Sequence, residues 1–443
     1  MNTSSKKYWV LGFLLLGFYL VGCSSEDQET ESTYTFNTNL ISSAKTAGLE
    51  LVDGFEAEIY ADSLGRARHI VVRNNGDIYV ALRELKDGHG IAALRDTDGD
   101  QHADRIEYFG DLPGTGIDIR DNYLYFAPDT AVMRYAFNGD ELVPSGDPEI
   151  IVGNIPYETQ HAAKSFTFDD SGNMYVNVGA PSNACMKEMR TKGSPGMDPC
   201  PILEDYGGIW QFKADQLGQK KNGSDNRYST GTRNTVALDW NHHANTLYAL
   251  QHGRDQLKTF FPDLYTPKQS AELPSEEFFK VDEGDNFGWP YAYYDWQKEQ
   301  KVLMPEYGGD GEKVGRAANY EDPIVGFPGH WAPNDLHFYT GDLFPEGYKN
   351  GAFIAFHGSW NRAPLTQKGY KVVFVPFKND MPSSSHDYFT FADGFKGTDS
   401  LQSPGQAEYR PMGLAEGTSG ELFITDSQQG RVWRVTPSSA AKE

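Results

Sequence analysis

Apolar and polar positions alternate in short runs along this chain, and the runs recur behind a turn. Six copies carry the pattern: NGDIYVA (Asn75 to Ala81), DNYLYFA (Asp121 to Ala127), SGNMYVN (Ser171 to Asn177), ANTLYAL (Ala244 to Leu250), NGAFIAF (Asn350 to Phe356) and SGELFIT (Ser419 to Thr425). Each is a turn pair followed by alternating apolar and aromatic residues, which predicts a hairpin entering a half-buried strand. Strand-like runs stand just before most of the turns: RHIVVR from Arg68, GIDIRD from Gly116, KSFTFDD from Lys164 and TVALDW from Thr235. An all-β unit repeated at these spacings predicts a six-bladed β-propeller, one blade per copy. The long gaps before the fourth, fifth and sixth copies become loops inserted on one face, where propellers carry their sites. Residues 47–437 form this domain. A propeller can exceed the usual size of one core because each blade packs mainly on its neighbours.

Charge changes the picture at one point. The chain has 39 Lys+Arg against 62 Asp+Glu, a net charge of −23. Such a surface repels nucleic acid, and no basic run argues otherwise. Yet in four blades a cationic or imidazole side chain stands at nearly the same offset ahead of the hairpin: Arg68, His161 with Lys164, Arg233 with Asn234, and Arg410. That offset is the start of the innermost strand, at the mouth of the central channel. Taken singly, each cation could equally pair with one of the many carboxylates. At matched positions in four blades they imply an anionic ligand on the axis, because Arg binds carboxylates in bidentate fashion.

The N-terminus bears on compartment. Lys6 and Lys7 precede an apolar stretch from Tyr8 to Tyr19, too short to span a bilayer, and Leu20-Val21-Gly22-Cys23 follows. Charge, apolar core and box in that order predict a bacterial lipoprotein signal peptide over 1–22, with Cys23 lipidated. Ser24 after the lipid points to the outer membrane or cell envelope, with membrane contact through the lipid alone. Residues 23–46 are rich in Ser, Thr and acids and are expected to be a flexible tether. With Cys23 assigned to lipid, Cys185 and Cys200 remain as an even pair in an exported protein, which favours a disulfide across an irregular loop. No C-x-x-C-H occurs in the sequence, so no c-type haem is attached.

Two further features carry candidate chemistry. Asp96, Asp98, Asp100 and Asp104 surround Gly99 in one short stretch. Hard cations such as Ca²⁺ need clustered oxygens, although the downstream Glu of an EF-hand is missing and a solvated acidic turn is the plain alternative. His161 opens the third blade's inner strand, where a neutral imidazole at the channel mouth could take a proton from a substrate hydroxyl. HGRDQL from His252, GDNFGWPY from Gly284 and HGSWNR from His357 are Gly-rich loops to which pattern alone assigns no reaction.

GDNFGWPYAYYD, HGSWNRAP followed by GYKVVFVPFK, GTRN followed by VALDW, and RPMGLA together carry a resemblance over most of the chain after about residue 50: the sequence resembles the sorbosone dehydrogenase-like family, related to soluble glucose and aldose dehydrogenases that use pyrroloquinoline quinone (PQQ). The resemblance implies a six-bladed propeller with a tricarboxylate quinone on its axis. It implies that His161 is the catalytic base and that Arg233 and Asn234 lie beside the quinone. Gly253 and Arg254 would hold a calcium ion through main-chain carbonyls, Arg410 would contact the cofactor, and Arg362 or Lys371 would supply another contact. Three positions depart from the pattern. Lys164 stands where the sorbosone-type sequences have Arg, and Arg254 where the glucose enzymes have Pro. The Gly114-Thr115-Gly116 turn lacks the polar reader of the glucose enzymes.

The reading is a PQQ- and Ca²⁺-dependent oxidoreductase acting on a sugar or sugar-derived aldehyde. In it His161 takes the proton, Arg233 stabilises developing charge, and the electrons leave to a separate quinone or cytochrome. A calcium-dependent propeller lactonase or hydrolase, and a non-catalytic glycan- or protein-binding propeller, stand as alternatives.

Overall fold

The computed structural model describes residues 1, 34–384 and 386–439. The signal peptide after Met1, Cys23 and the tether as far as residue 33 lie outside the described residues. Among the described residues no helix is long and apolar enough to cross a membrane.

Each of the six repeated patterns forms the first hairpin of a blade with four antiparallel strands, joining its innermost strand to the second, and in the second blade Gln219–Lys220 adds a fifth strand parallel to Glu149–Gly153. The inner strands are Ala67–Val72, Gly114–Arg120, Phe166–Phe168, Ala237–Asn241, Pro333–Phe338 and Pro411–Glu416. The hairpin turns are short and use left-handed residues, such as Gly76 at φ +91° and Gly420 at φ +92°. A side chain at those angles is strained, which is why the turn pairs read NG and SG. Strand faces alternate, so one row packs on the preceding blade and the other on the following one. Tyr248, Leu250 and Phe278 of the fourth blade, for example, share a core with Leu336, Phe338 and Ile354 of the fifth.

The ring closes by pairing distant segments. Phe55–Ala61 forms the outermost strand of the sixth blade, antiparallel to Val432–Pro437. The fifth blade is widened by Glu50–Val52 and then Leu40–Ile41. The tether expected through residue 46 is therefore shorter. Phe36 packs against Tyr348, Phe374 and Phe389, and Leu40 pairs with Val52. The sequence around them is polar, but these two apolar side chains find a ready aromatic pocket and an open sheet edge.

While residues 282–324 leave from the far end of Glu276–Val281, four long connections leave from the face where the inner strands begin. Residues 179–207, 252–275, 357–370 and 394–410 are connections on that face. Cys185 and Cys200 form a disulfide there, packed with Trp289, Tyr293, Val302 and Met304 of another insertion. These layers build walls above the channel mouth.

Candidate active site

His161 stands in the connection entering the third blade at φ +58°, a left-handed conformation that is strained for a non-glycine residue. Its Nδ1 lies 2.5 Å from the Ala180 carbonyl oxygen. A carbonyl can only accept, so Nδ1 carries the proton and Nε2 keeps its lone pair. Burial lowers the imidazole pKa to about 3, with Arg233 adding to the effect, so His161 is neutral at ordinary pH with its Nε2 lone pair available. Gly179 makes the approach possible: a Cβ there would lie 2.7 Å from His161 Cβ and 2.6 Å from Asn234 Oδ1.

His161 lines a cavity of about 160 Å³ with Arg233, His252, Gly253, Asp255, Glu276, His330, Trp360 and Asn361. Arg233 is buried and gives Nη2 to Asp255 Oδ2 at 2.7 Å and Nη1 to the Gly253 carbonyl at 3.0 Å. Its Nε has no partner. Asn361 Nδ2 donates to the other Asp255 oxygen at 2.8 Å, and Asn183 brackets the Asp255 backbone. Burial works against the Asp255 carboxylate, but Arg233 and the nearby His330 hold its pKa below the ordinary value. Glu276 goes the other way: burial pushes it up to about 8, so it enters the cavity as a neutral acid. His252 and His330 direct Nε2 at backbone carbonyls, Pro333 at 2.8 Å and Ser270 at 2.9 Å respectively.

The cations at the mouth form a second group. Arg68 is lowered to about 9 by burial and by repulsion from Arg83 and Arg410. Lys164 is lowered to about 8, chiefly by burial, with Arg83 adding to it against the pull of Asp129. Arg410 is fixed by Nε and Nη2 bonds to the His357 and Gly358 carbonyls, both at 3.0 Å. Lys164 gives Nζ to the Ala162 carbonyl at 2.6 Å, and Arg68 gives Nε to Thr115 Oγ1 at 3.4 Å. Carbonyl and hydroxyl oxygens take these donors without neutralising the charge. Asn234 sits behind the cavity, its Oδ1 3.4 Å from Asn177 Nδ2.

Other expected positions fall elsewhere. Arg362 is buried among its own partners: Nη2 meets Glu272 at 2.6 Å, Nη1 meets the Ala271 and Gly329 carbonyls, and Nε meets the Thr366 carbonyl. Lys371 turns along its sheet to Thr390 at 3.0 Å and Asp393 at 3.2 Å. Arg254 points its side chain away into a buried pair with Glu306, 2.8 Å apart. The Gly253 carbonyl expected to face a calcium ion accepts from Arg233. Asp96, Asp98 and Asp104 bring their oxygens within 4.8 Å of one another, while Asp100 accepts from the His102 backbone instead. That loop joins His89–Arg95 to Arg105–Phe109 on the face opposite His161. Arg83, Asp255, Glu276, His330, Trp360 and Asn361 are site residues that the alternation pattern passes over. The HGRD and SWNR runs were visible, but nothing in them shows which side chains meet across the insertion.

A family model described as TrAA12-like matches residues 49–438. The chain belongs to the TrAA12-like family. Among curated proteins it is 29% identical over 206 residues to an uncharacterized protein of Borreliella burgdorferi, covering 46% of this chain and 47% of that one. It is 25% identical over 187 residues to the PQQ-dependent pyranose dehydrogenase of Coprinopsis cinerea, covering 37% and 25%. The chain thus spans between a quarter and half of these relatives. The calcium structure of a Trichoderma reesei enzyme of carbohydrate-active family AA12 superposes with a TM-score of 0.72 at 19% identity, covering 90% of this chain and all of that one. That likeness supports the six-bladed fold.

The residues of the TrAA12-like chain fit a polyanion. Arg83 is paired with Asp129 at 2.7 Å, but Arg68, Lys164 and Arg410 have no ion-pair partner among the described residues, and Arg233 keeps a buried donor unused. Calcium beside it fits less well. The Gly253 oxygen is engaged by Arg233, and Asp255 is committed to the same Arg.

Proposed function

We propose that this chain is a lipid-anchored, PQQ-dependent dehydrogenase that oxidises a sugar or sugar-derived aldehyde and passes the electrons to a separate quinone or cytochrome. The observation that carries the reading is the pairing of a neutral His161, its Nε2 free, with a crowd of unneutralised cations at the same channel mouth. His161 Nε2 takes the proton from the substrate hydroxyl or hydrated aldehyde. Ala180 holds the imidazole in the tautomer that leaves this lone pair available. Arg233 Nε donates to an oxygen in the cavity and stabilises negative charge there, while Asp255 fixes the plane of the guanidinium. Arg68, Lys164 and Arg410 bind and orient the carboxylates of the cofactor. Bound PQQ supplies the two-electron acceptor.

Calcium belongs to the proposal as a structural ion at Asp96, Asp98 and Asp104, whose grouped oxygens support it. The order of charge, apolar core and cysteine box supports lipidation at Cys23, and mass spectrometry of membrane-extracted protein tests it by finding or missing an acylated Cys23 terminus. The test of the whole is reconstitution. PQQ and Ca²⁺ added to the purified apoprotein are expected to give dye reduction with members of an aldose and aldehyde panel. Absence of PQQ binding overturns the reading.

A further inference from the structure

The loop that carries Trp360 is rigid, and yet its largest side chain is left in solvent. Ser359 and Gln367 are buried and joined by a 2.6 Å hydrogen bond, and Tyr370 donates to the Ser359 carbonyl at 2.6 Å. The Ser359 backbone donates to Lys368 at 2.8 Å, and Gly358 to Trp331 at 2.9 Å. Arg362 is locked on the far side. Between these anchors Trp360 is 49% exposed and lines the His161 cavity. Its neighbour Asn361 spends its amide nitrogen on Asp255 and leaves Oδ1 buried and without a partner. An indole held at the rim and an unused amide acceptor beside it form a mixed surface. The indole suits a face of C–H groups and the amide a hydroxyl at its edge. A pyranose ring presents that combination, and a short aldehyde has no such face.

We propose that Trp360 is the platform on which the ring of a pyranose substrate lies, with Asn361 Oδ1 accepting one of its hydroxyls, so that the reacting carbon is presented to His161. This rests on the dehydrogenase reading and narrows its substrate class to cyclic sugars. The platform is preorganised, because the loop ordering has been completed before substrate arrives.

Trp360→Ala and Trp360→Phe, loaded with PQQ, are compared with wild type on glucose and on glyceraldehyde. The ratio of kcat/KM for glucose over glyceraldehyde is expected to fall at least tenfold in Trp360→Ala and to return within about threefold of wild type in Trp360→Phe. A second arm needs no turnover. Glucose binding to the PQQ-loaded, pre-reduced protein is followed by saturation-transfer NMR and is expected to weaken at least tenfold in Trp360→Ala. An unchanged ratio overturns the platform. So does a tenfold loss of PQQ affinity in Trp360→Ala, which places the indole on the cofactor instead. If wild type binds no PQQ, the dehydrogenase reading fails; if it binds PQQ and oxidises neither compound, the binding arm alone decides: glucose bound by wild type and lost in Trp360→Ala supports the platform, and no binding by wild type overturns it.

Discussion

The two ends of the axial channel carry opposite charge chemistry on the same six inner strands. At the mouth stand Arg68, Lys164, Arg233 and Arg410. Further along lies a cavity of about 180 Å³ lined by His69, Asp118, Thr167, Asp239, Asp335, His337 and Glu416. Both groups are desolvated, and they respond differently. Burial pushes Asp118 up to about 7, and lifts Asp239 and Asp335 as well. A carboxyl relieves its desolvation by taking a proton. Glu416, pushed up by burial, is held below its ordinary value by His337. An arginine has no such escape: even at about 9, Arg68 stays charged at neutral pH. The lower end is therefore self-neutralised, whereas at the upper end Asp255 balances Arg233 and leaves Arg68, Lys164 and Arg410 to an anion from outside. Clustered charge alone marks no ligand site; charge that cannot be relieved locally does.

The comparison is most severely tested at His161. His161→Ala is expected to lower turnover by about 10²- to 10⁴-fold, the usual range for a lost general base, while PQQ affinity by titration calorimetry stays near wild type. Near wild-type turnover in the variant assigns the base elsewhere.

A smaller effect separates the two ends directly. Arg233→Ala and Arg410→Ala are each expected to weaken PQQ binding by roughly 1.5–3 kcal/mol, the range for a lost charged hydrogen bond. Asp118→Asn at the lower end should leave that affinity within about twofold. Equal losses at both ends would erase the distinction. On the insertion that walls the mouth, Cys185→Ser is expected to cost about 2–4 kcal/mol of stability by denaturant titration, typical for releasing a loop of this size.

Protonation gives the finest test. His161 titrates at about 3, below the ordinary 6.5, so its base form persists as the pH falls. Turnover should hold down to about pH 5, and an acid limb near 6.5 would contradict the burial of the imidazole. Asp118 has the opposite sign. Its folded pKa of about 7 exceeds the ordinary 3.8. The stability it contributes is complete below the unfolded value and is lost as pH rises through 7. Asp118→Asn should flatten the fall in the urea midpoint between about pH 4 and 7, whereas wild-type protein should show it.

Most of the fold was legible because a hairpin writes itself locally: turn residues, then period-two alternation, as in Asn75 to Ala81. His161 and Arg233 were legible because the repeat fixes where each inner strand begins. The destinations of Arg362 and Lys371 were not. Each long side chain was free to reach the channel, and each instead met a carboxylate, Glu272 or Asp393, brought close by another segment. Asp255 was hidden for the same reason. Its role comes from contacts with Arg233 and Asn361, which are distant in sequence. The tether was misjudged beyond Phe36 because two apolar residues in a polar stretch carry no periodicity, and still suffice to dock it.

Ring closure through Phe55–Ala61 and Val432–Pro437 sets an order of events during synthesis. The strand that completes the sixth blade leaves the ribosome before any of the six inner strands and waits, unpaired, until Val432–Pro437 has been made. The inner strands that line the channel, Pro411–Glu416 included, are all made before that partner, so the axis is lined before the ring is fastened. Until Val432–Pro437 pairs with it, Phe55–Ala61 is an open sheet edge, a substrate for proteases and for aggregation.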